Sequence, residues 1–333
     1  MNIKNTRLQH IVDCFSGKKI AVWGDFILDE YLYGTTRRIS REAPVLVLSY
    51  KNTELYLGGA GNALLNLKDL GADPLPVGVI GNDTAGREII KRLKSKGINT
   101  DYIVIDKDFT TPIKTRILAG EETAKKQQIL RIDHEKKVRW TPLLEQKIRT
   151  HLEKLATKAN ALLISDYNYH VVREDMFQTV LPYYKKSKVP VTLDSRFRIL
   201  NFKGITALTP NEPEVEQALQ TEINDNTSEL NKIGSAILKK TTASAVLITR
   251  GSKGMALFEK NKPVTYIPIH GTPNIVDVTG AGDTVISVFT LGLTCGASFK
   301  EAALLSNFAG GIVVMKKGTA TLTPEELKEA IVS

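Results

Sequence analysis

Cysteine is scarce in this sequence. Cys14 and Cys295 are the only two in 333 residues, and they show neither a C-x-x-C spacing nor the density of a secreted disulfide scaffold. A reducing, cytoplasmic setting is therefore expected. The histidines, His10, His134, His151, His170 and His270, lack helical metal-pair spacing, so a zinc site is not expected. Long apolar runs are also missing. The most apolar stretch, residues 284–295, falls short of the roughly 20 residues that cross a bilayer and reads as a buried helix. Residues 1–16 mix Lys4, Arg7, His10 and Asp13 among apolar positions, so no export signal is read there.

Several nucleotide and hydrolase signatures are absent as well. The chain has no G-x-x-x-x-G-K-S/T, no G-x-G-x-x-G after its first strand and no G-x-S-x-G, which removes P-loop, nicotinamide and nucleophile-elbow readings. No block of five or six basic residues occurs, although 45 Lys+Arg against 36 Asp+Glu leave a net charge of +9. Cations dispersed in this way suit phosphorylated small molecules better than nucleic acid or a membrane. What remains is an ordinary globular composition, 42% hydrophobic and 24% charged, which excludes disorder and fibrous folds.

Short β-rich apolar runs alternate with amphipathic segments. Residues 19–23, 77–80, 161–164, 189–193, 207–208 and 245–249 read as strands; residues 60–70, 85–96, 173–186, 212–219 and 283–295 read as helices. This rhythm predicts one α/β domain over residues 1–333, with a mostly parallel sheet covered by helices on both faces. Residues 31–57 and 111–132 break it. They read as extended segments, with Ile113, Thr115 and Ile117 alternating with Lys114, Arg116 and Leu118. A small β flap of this kind cannot bury both faces alone, so it covers a ligand cleft or pairs with a second copy; a homodimer through the flap is expected.

Asp277-Val278-Thr279-Gly280-Ala281-Gly282-Asp283 runs directly into the apolar helix. Glycines let backbone approach a ligand, and the free amides of a helix start favour an anion. Asp283 could cap that helix, but capping does not require Gly280, Ala281 and Gly282 before it, whereas a base beside a phosphate-holding nest does. Gly58, Gly59 and Asn62 form a second glycine-rich helix start. In a third, Asn211, Glu212, Pro213 and Glu214 follow Thr209-Pro210; first-turn capping explains most of it, and the functional reading is a hydrated Mg²⁺ organised by Asn211 and Glu214. Thr249, Gly251 and Gly254 follow a strand, where α/β sheets bind ligands, and Asp25 and Asp29 follow the first strand, where carboxylates can accept sugar hydroxyls.

Taken together, these motifs resemble the ribokinase-type, or PfkB, family of carbohydrate kinases, matched by residues 58–62, by Asn211 to Glu214 and by Asp277 to Asp283 in the family's order. The resemblance extends over residues 20–323. It implies a three-layer ribokinase-like fold with a β lid. It also implies ATP and Mg²⁺ as cofactors, with a monovalent cation left open, and Asp283 as the base. Thr249, Gly251, Gly254 and Asn307 would lie near ATP; Asp25, Asp29, Gly58, Gly59, Asn62 and Arg116 would lie near the sugar. Residues 24–31, 39–45 and 128–133 are similar to the kinases of D-glycero-β-D-manno-heptose 7-phosphate, which form the 1,7-bisphosphate on the way to ADP-heptose for lipopolysaccharide. Some of those carry a fused nucleotidyltransferase domain; a chain ending at Ser333 leaves no room for one, so only the kinase reaction is expected. Arg41, Lys114, Arg116, Arg131 and Arg196 are the candidates for the distal phosphate. Two departures stand out: Asp194-Ser195-Arg196 replaces Asp-Pro-Lys, and Gly61 replaces an alanine. The alternatives are a kinase of another sugar or nucleoside and a non-catalytic sugar or nucleotide sensor.

Overall fold

Apolar residues on both faces of one strand set the layering. In β1 (Lys19–Gly24), Ala21 and Trp23 enter one hydrophobic core while Ile20 and Val22 enter another, as a period-two strand buried on both sides must. The computed structural model describes residues 3–121, 126–224, 226–271 and 275–332. Ahead of β1 lies α1 (Asn5–Asp13). After it come β2 (Phe26–Ile39), β3 (Leu46–Gly59), α2 (Ala60–Asp69), β4 (Asp73–Gly81), α3 (Thr84–Ser95), β5 (Ile103–Asp106), β6 (Ile113–Gly120) and β7 (Gln127–His134). The chain continues through α4 (Pro142–Leu155), β8 (Ala161–Asp166), α5 (Glu174–Lys186), β9 (Val191–Ser195), β10 (Ala207–Leu208), α6 (Glu212–Leu219) and α7 (Thr227–Thr241). It closes with β11 (Ala245–Thr249), β12 (Met255–Glu259), β13 (Thr265–Ile267), α8 (Ala281–Thr294), α9 (Phe299–Val313) and α10 (Pro324–Val332).

The large sheet runs β13-β12-β11-β10-β9-β8-β1-β4-β5. It is parallel from β11 to β5, and only β12 and β13 turn antiparallel. One face packs on α4, α5, α6 and α7; the other carries α1, α2, α3, α8, α9 and α10. Since the chain leaves β1 for β4 on one side and returns to β8 on the other, a crevice opens outside the carboxyl ends at this reversal. Among the described residues no helix is long and apolar enough to cross a membrane.

The second sheet, β3-β2-β6-β7, is the expected lid. It begins earlier and ends later than the alternation suggested, because Asp25 alone separates β1 from β2 and the chain stays extended to Gly59. Residues 122–125 of the predicted lid segment lie outside the described residues.

Candidate active site

A cavity of about 1150 Å³ lies between the lid and the carboxyl ends of β8, β9, β10 and β11. Asp283 lines it from the first turn of α8 and is 3% exposed. It is not the cap; Gly280 is, in the left-handed region at φ 80°, where a Cβ would stand 2.4 Å from Asn62 Nδ2. Asn62 Nδ2 donates to Asp283 Oδ2 at 2.8 Å, and the Tyr167 hydroxyl donates to Oδ1 at 3.1 Å. Burial raises the Asp283 carboxyl from 3.8 to about 7, against the pull of those two donors. A carboxylate so placed is poised to take a proton near neutrality.

Several expected roles change. Asn62 is buried and outside the cavity lining, and its amide is spent on Asp283 and on the Gly280 carbonyl. Asp25 is also withdrawn: its carboxylate accepts the amides of Tyr167, Tyr169 and Val171 and so pins that loop beneath β1. Burial and then Asp166 push Asp25 up to about 7. Ala281 packs against the core and its amide bonds Val278 O, which leaves the amides of Gly282 and Asp283, two residues that line the cavity, as the remaining helix-start donors. Glu212 pairs with Arg250 at 2.7 Å and leaves the lining. Gly251 and Gly254 lie in the turn beyond Thr249, outside the lining; Gly254 is there because a Cβ would meet Ile267 O at 2.1 Å. Asn307 gives its amide to Pro268 O at 2.9 Å, tying α9 to the end of β13. Arg41 is exposed, away from the cavity.

The remaining expectations meet in one place. Asp29, Gly58, Gly59, Arg116, Asn211, Pro213, Glu214, Thr249, Gly280 and Gly282 all line the cavity. Asn211 and Glu214 form a complete capping box, each side chain accepting from the other's backbone amide. Capping and site therefore coincide: burial lifts Glu214 to about 7 while it lines the wall. Among the described residues no cluster of three or more carboxylates, histidines or cysteines forms a metal cage. A hydrated Mg²⁺ carried on nucleotide phosphates needs only one or two carboxylates. Glu214 and Asp194 fit that need through water, and Asn211, which also lines the wall, keeps a second lone pair on its amide oxygen beside the one spent on the cap.

Lys114, Arg116, Arg131 and Arg196 converge on this cavity from the lid and from the end of β9. Arg116 pairs with Asp29 and Arg131 with Asp133. Among the described residues neither Lys114 nor Arg196 closes an ion pair. Lys114, 7% exposed, lies over the Tyr167 ring at 5.4 Å, and burial and then Arg196 lower its pKa. Carboxylates stand near both all the same, Asp29 and Asp133 about Lys114 and Asp194 and Glu214 about Arg196, so the two cations belong to a mixed-charge wall of the cavity.

Asp166, Tyr167, Asp194 and Thr209 also line the cavity and were not singled out as site residues. Each sits at or just beyond the end of β8, β9 or β10, so the strand-end rule that flagged Asp25 could have found them. Burial, then Glu214 and Asp283, hold the Asp194 carboxyl well above the usual carboxylate range.

Comparison with known proteins agrees with this geometry. Residues 18–326 match the pfkB family carbohydrate kinase model. The bifunctional protein HldE of Geobacter metallireducens is 38% identical over 92% of this chain and 61% of its own length. HldE of Desulfatibacillum aliphaticivorans is 38% identical over 95% of this chain and 64% of its own. The chain thus spans less than two thirds of these curated relatives. In fold it is similar to Arabidopsis thaliana ribokinase complexed with ribose and ATP, with a TM-score of 0.73 at 20% identity over 95% of this chain and 99% of that one. Phosphofructokinase-2 from Escherichia coli in complex with potassium aligns with a TM-score of 0.73 at 16% identity, covering 95% and 98%. With the signatures of residues 58–62, 211–214 and 277–283 gathered around one cavity and a family match over nearly the whole length, the chain belongs to the pfkB family of carbohydrate kinases.

Proposed function

We propose that this cavity transfers the γ-phosphoryl group of ATP to the anomeric C1 hydroxyl of D-glycero-β-D-manno-heptose 7-phosphate. The observation that carries the reading is that Asp283 shares one cavity with two cations that close no ion pair among the described residues, the buried Lys114 and the exposed Arg196. One end of the acceptor meets the base, while its distal phosphate meets the cations. Asp29, Gly58 and Gly59 stand where sugar hydroxyls would lie. The similarity of residues 24–31 and 39–45 to heptose 7-phosphate kinases supports the same acceptor.

In the reaction, Asp283 takes the proton of the acceptor hydroxyl as its oxygen forms a bond to the γ-phosphorus. The bond from that phosphorus to the β–γ bridging oxygen breaks, and ADP leaves. The helix-start amides of Gly282 and Asp283 hold the charge that spreads over the transferred group. Mg²⁺ held near Glu214 and Asp194 would supply charge neutralisation on the nucleotide phosphates. Exposed apolar residues on the lid, among them Ile39, Val45, Leu46, Tyr50 and Leu130, support a homodimer through that sheet.

Arg196→Met tests the acceptor assignment. Hydrogen bonds to charged groups are worth about 1.5–3 kcal/mol, so kcat/KM for heptose 7-phosphate should fall by about ten- to a hundredfold, with little change for the unphosphorylated heptose. Equal losses for both sugars would show that Arg196 does not read the distal phosphate.

A further inference from the structure

We infer that Tyr167 is a positioning residue, its phenol locking the carboxylate plane of Asp283 so that one lone pair of Oδ1 stays open toward the acceptor. The inference rests on Asp283 being the base and goes beyond that assignment.

The geometry is specific. Asn62 anchors Oδ2 from α2 and Tyr167 anchors Oδ1 from the end of β8, so each oxygen has its own donor and the carboxylate cannot rotate. Tyr167 is itself fixed three ways. Its amide donates to Asp25 Oδ2 at 2.7 Å. Its ring sits beneath Lys114, and a Cβ on Gly59 would lie 3.3 Å from Cδ2 of that ring. Gly59, at φ 56°, therefore leaves the ring its place. Burial first, and then the charge of Asp283, keep the phenol protonated far above neutrality, so it is a permanent donor. A tyrosine that can only donate, aimed at a buried carboxylate, favours the charged, proton-accepting form. Asp25, withdrawn from sugar contact, thereby gains a purpose: it seats the loop that carries the phenol.

Other charged groups also act on Asp283: Asp29 from β2, Lys114 from β6, Asp194 from β9 and Glu214 from α6. None of these changes in Tyr167→Phe, which deletes only the hydroxyl. The wild-type kcat/KM should decline as pH falls through about 7, the value to which burial raises Asp283. In Tyr167→Phe, kcat should fall by about tenfold to a hundredfold at neutral pH. The acid limb should move to higher pH, so that part of the loss is recovered in alkaline buffer, while KM for ATP stays the same. A ring-fluorinated tyrosine at 167, a stronger donor, should move the limb the other way. A merely structural tyrosine would lower the rate equally at every pH.

The test is the pH profile of kcat/KM for both variants, with thermal unfolding confirming that each is folded. Asp283→Asn is measured beside them. An inactive Asp283→Asn with an unshifted limb in both Tyr167 variants overturns this inference alone; an active Asp283→Asn overturns the base assignment beneath it.

Discussion

Asp283→Asn should lose about 10² to 10⁴ of kcat while KM for ATP changes little, because general-base catalysis typically contributes that much and nucleotide binding does not depend on the proton acceptor. The substitution keeps the shape of the side chain, so the Asn62 and Tyr167 contacts can persist with reoriented amide groups. Stability should move in the opposite direction. Burial raises the folded-state pKa from 3.8 to about 7. The native protein therefore holds a proton that the unfolded chain has already released between those values, and Asp283 contributes less stability as pH rises through that window. At about pH 8 the neutral Asn variant should unfold at the same or a higher temperature than the parent, and the difference should close toward pH 4. Steady-state kinetics and thermal scans at both pH values check this. Full activity, or a lower midpoint at alkaline pH, would contradict it.

Arg198→Ala should cost about 3–5 kcal/mol of folding stability, the usual penalty for stranding a buried charge. Its guanidinium meets both oxygens of Asp166, a carboxylate with a fully buried side chain, and also donates to Val172 O at 2.9 Å. The Ser195 hydroxyl donates to Asp166 Oδ2 at 2.6 Å. Without the arginine, Asp166 faces Asp25 and Asp194 with no neutralising partner of its own. The contrast is Arg92→Ala on α3, whose half-exposed pair with Glu88 one helical turn away is worth about 0.3–0.5 kcal/mol. Urea unfolding of the two variants separates these outcomes; an Arg198→Ala loss as small as that of Arg92→Ala would show that Asp166 finds another partner.

Ser195 also shows how a local departure is absorbed. A proline at that position could not donate to Asp166, whereas the hydroxyl joins the carboxylate's network of donors. Arg196 keeps its charge in the cavity, and Gly61 faces the Leu57 side chain, where a Cβ would stand 3.0 Å from Leu57 Cβ. A glycine there relieves the junction of β3 and α2.

The strands and helices that bracket the cleft were legible because each carries an uninterrupted apolar period. β1, β8 and β11 read as buried runs, and α2, α5 and α8 as periodic helices, within a few residues of their bounds. The helices α1, α4, α7, α9 and α10 and the β12–β13 hairpin are weaker as patterns, since their placement depends on partners remote in sequence: α1, for example, packs on α10. The motif glycines and Asp283 were legible because backbone approach and helix-start chemistry are local. Which polar side chains turn into the cavity was not. Asp25 and Asp29 are equivalent by sequence at the end of one strand; only the loop of residues 167–171 decides that the first is buried under amides and the second faces the site. Asn62, Asn307 and Glu212 are likewise claimed by partners that no spacing reveals.

The most direct test of the account is kcat/KM for ATP-dependent ADP release, compared across heptose 7-phosphate, unphosphorylated heptose, ribose and fructose. Lys114 and Arg196 in the cavity predict clear preference for the phosphorylated heptose, with the new phosphate on C1. Equal or better use of an unphosphorylated sugar would contradict it.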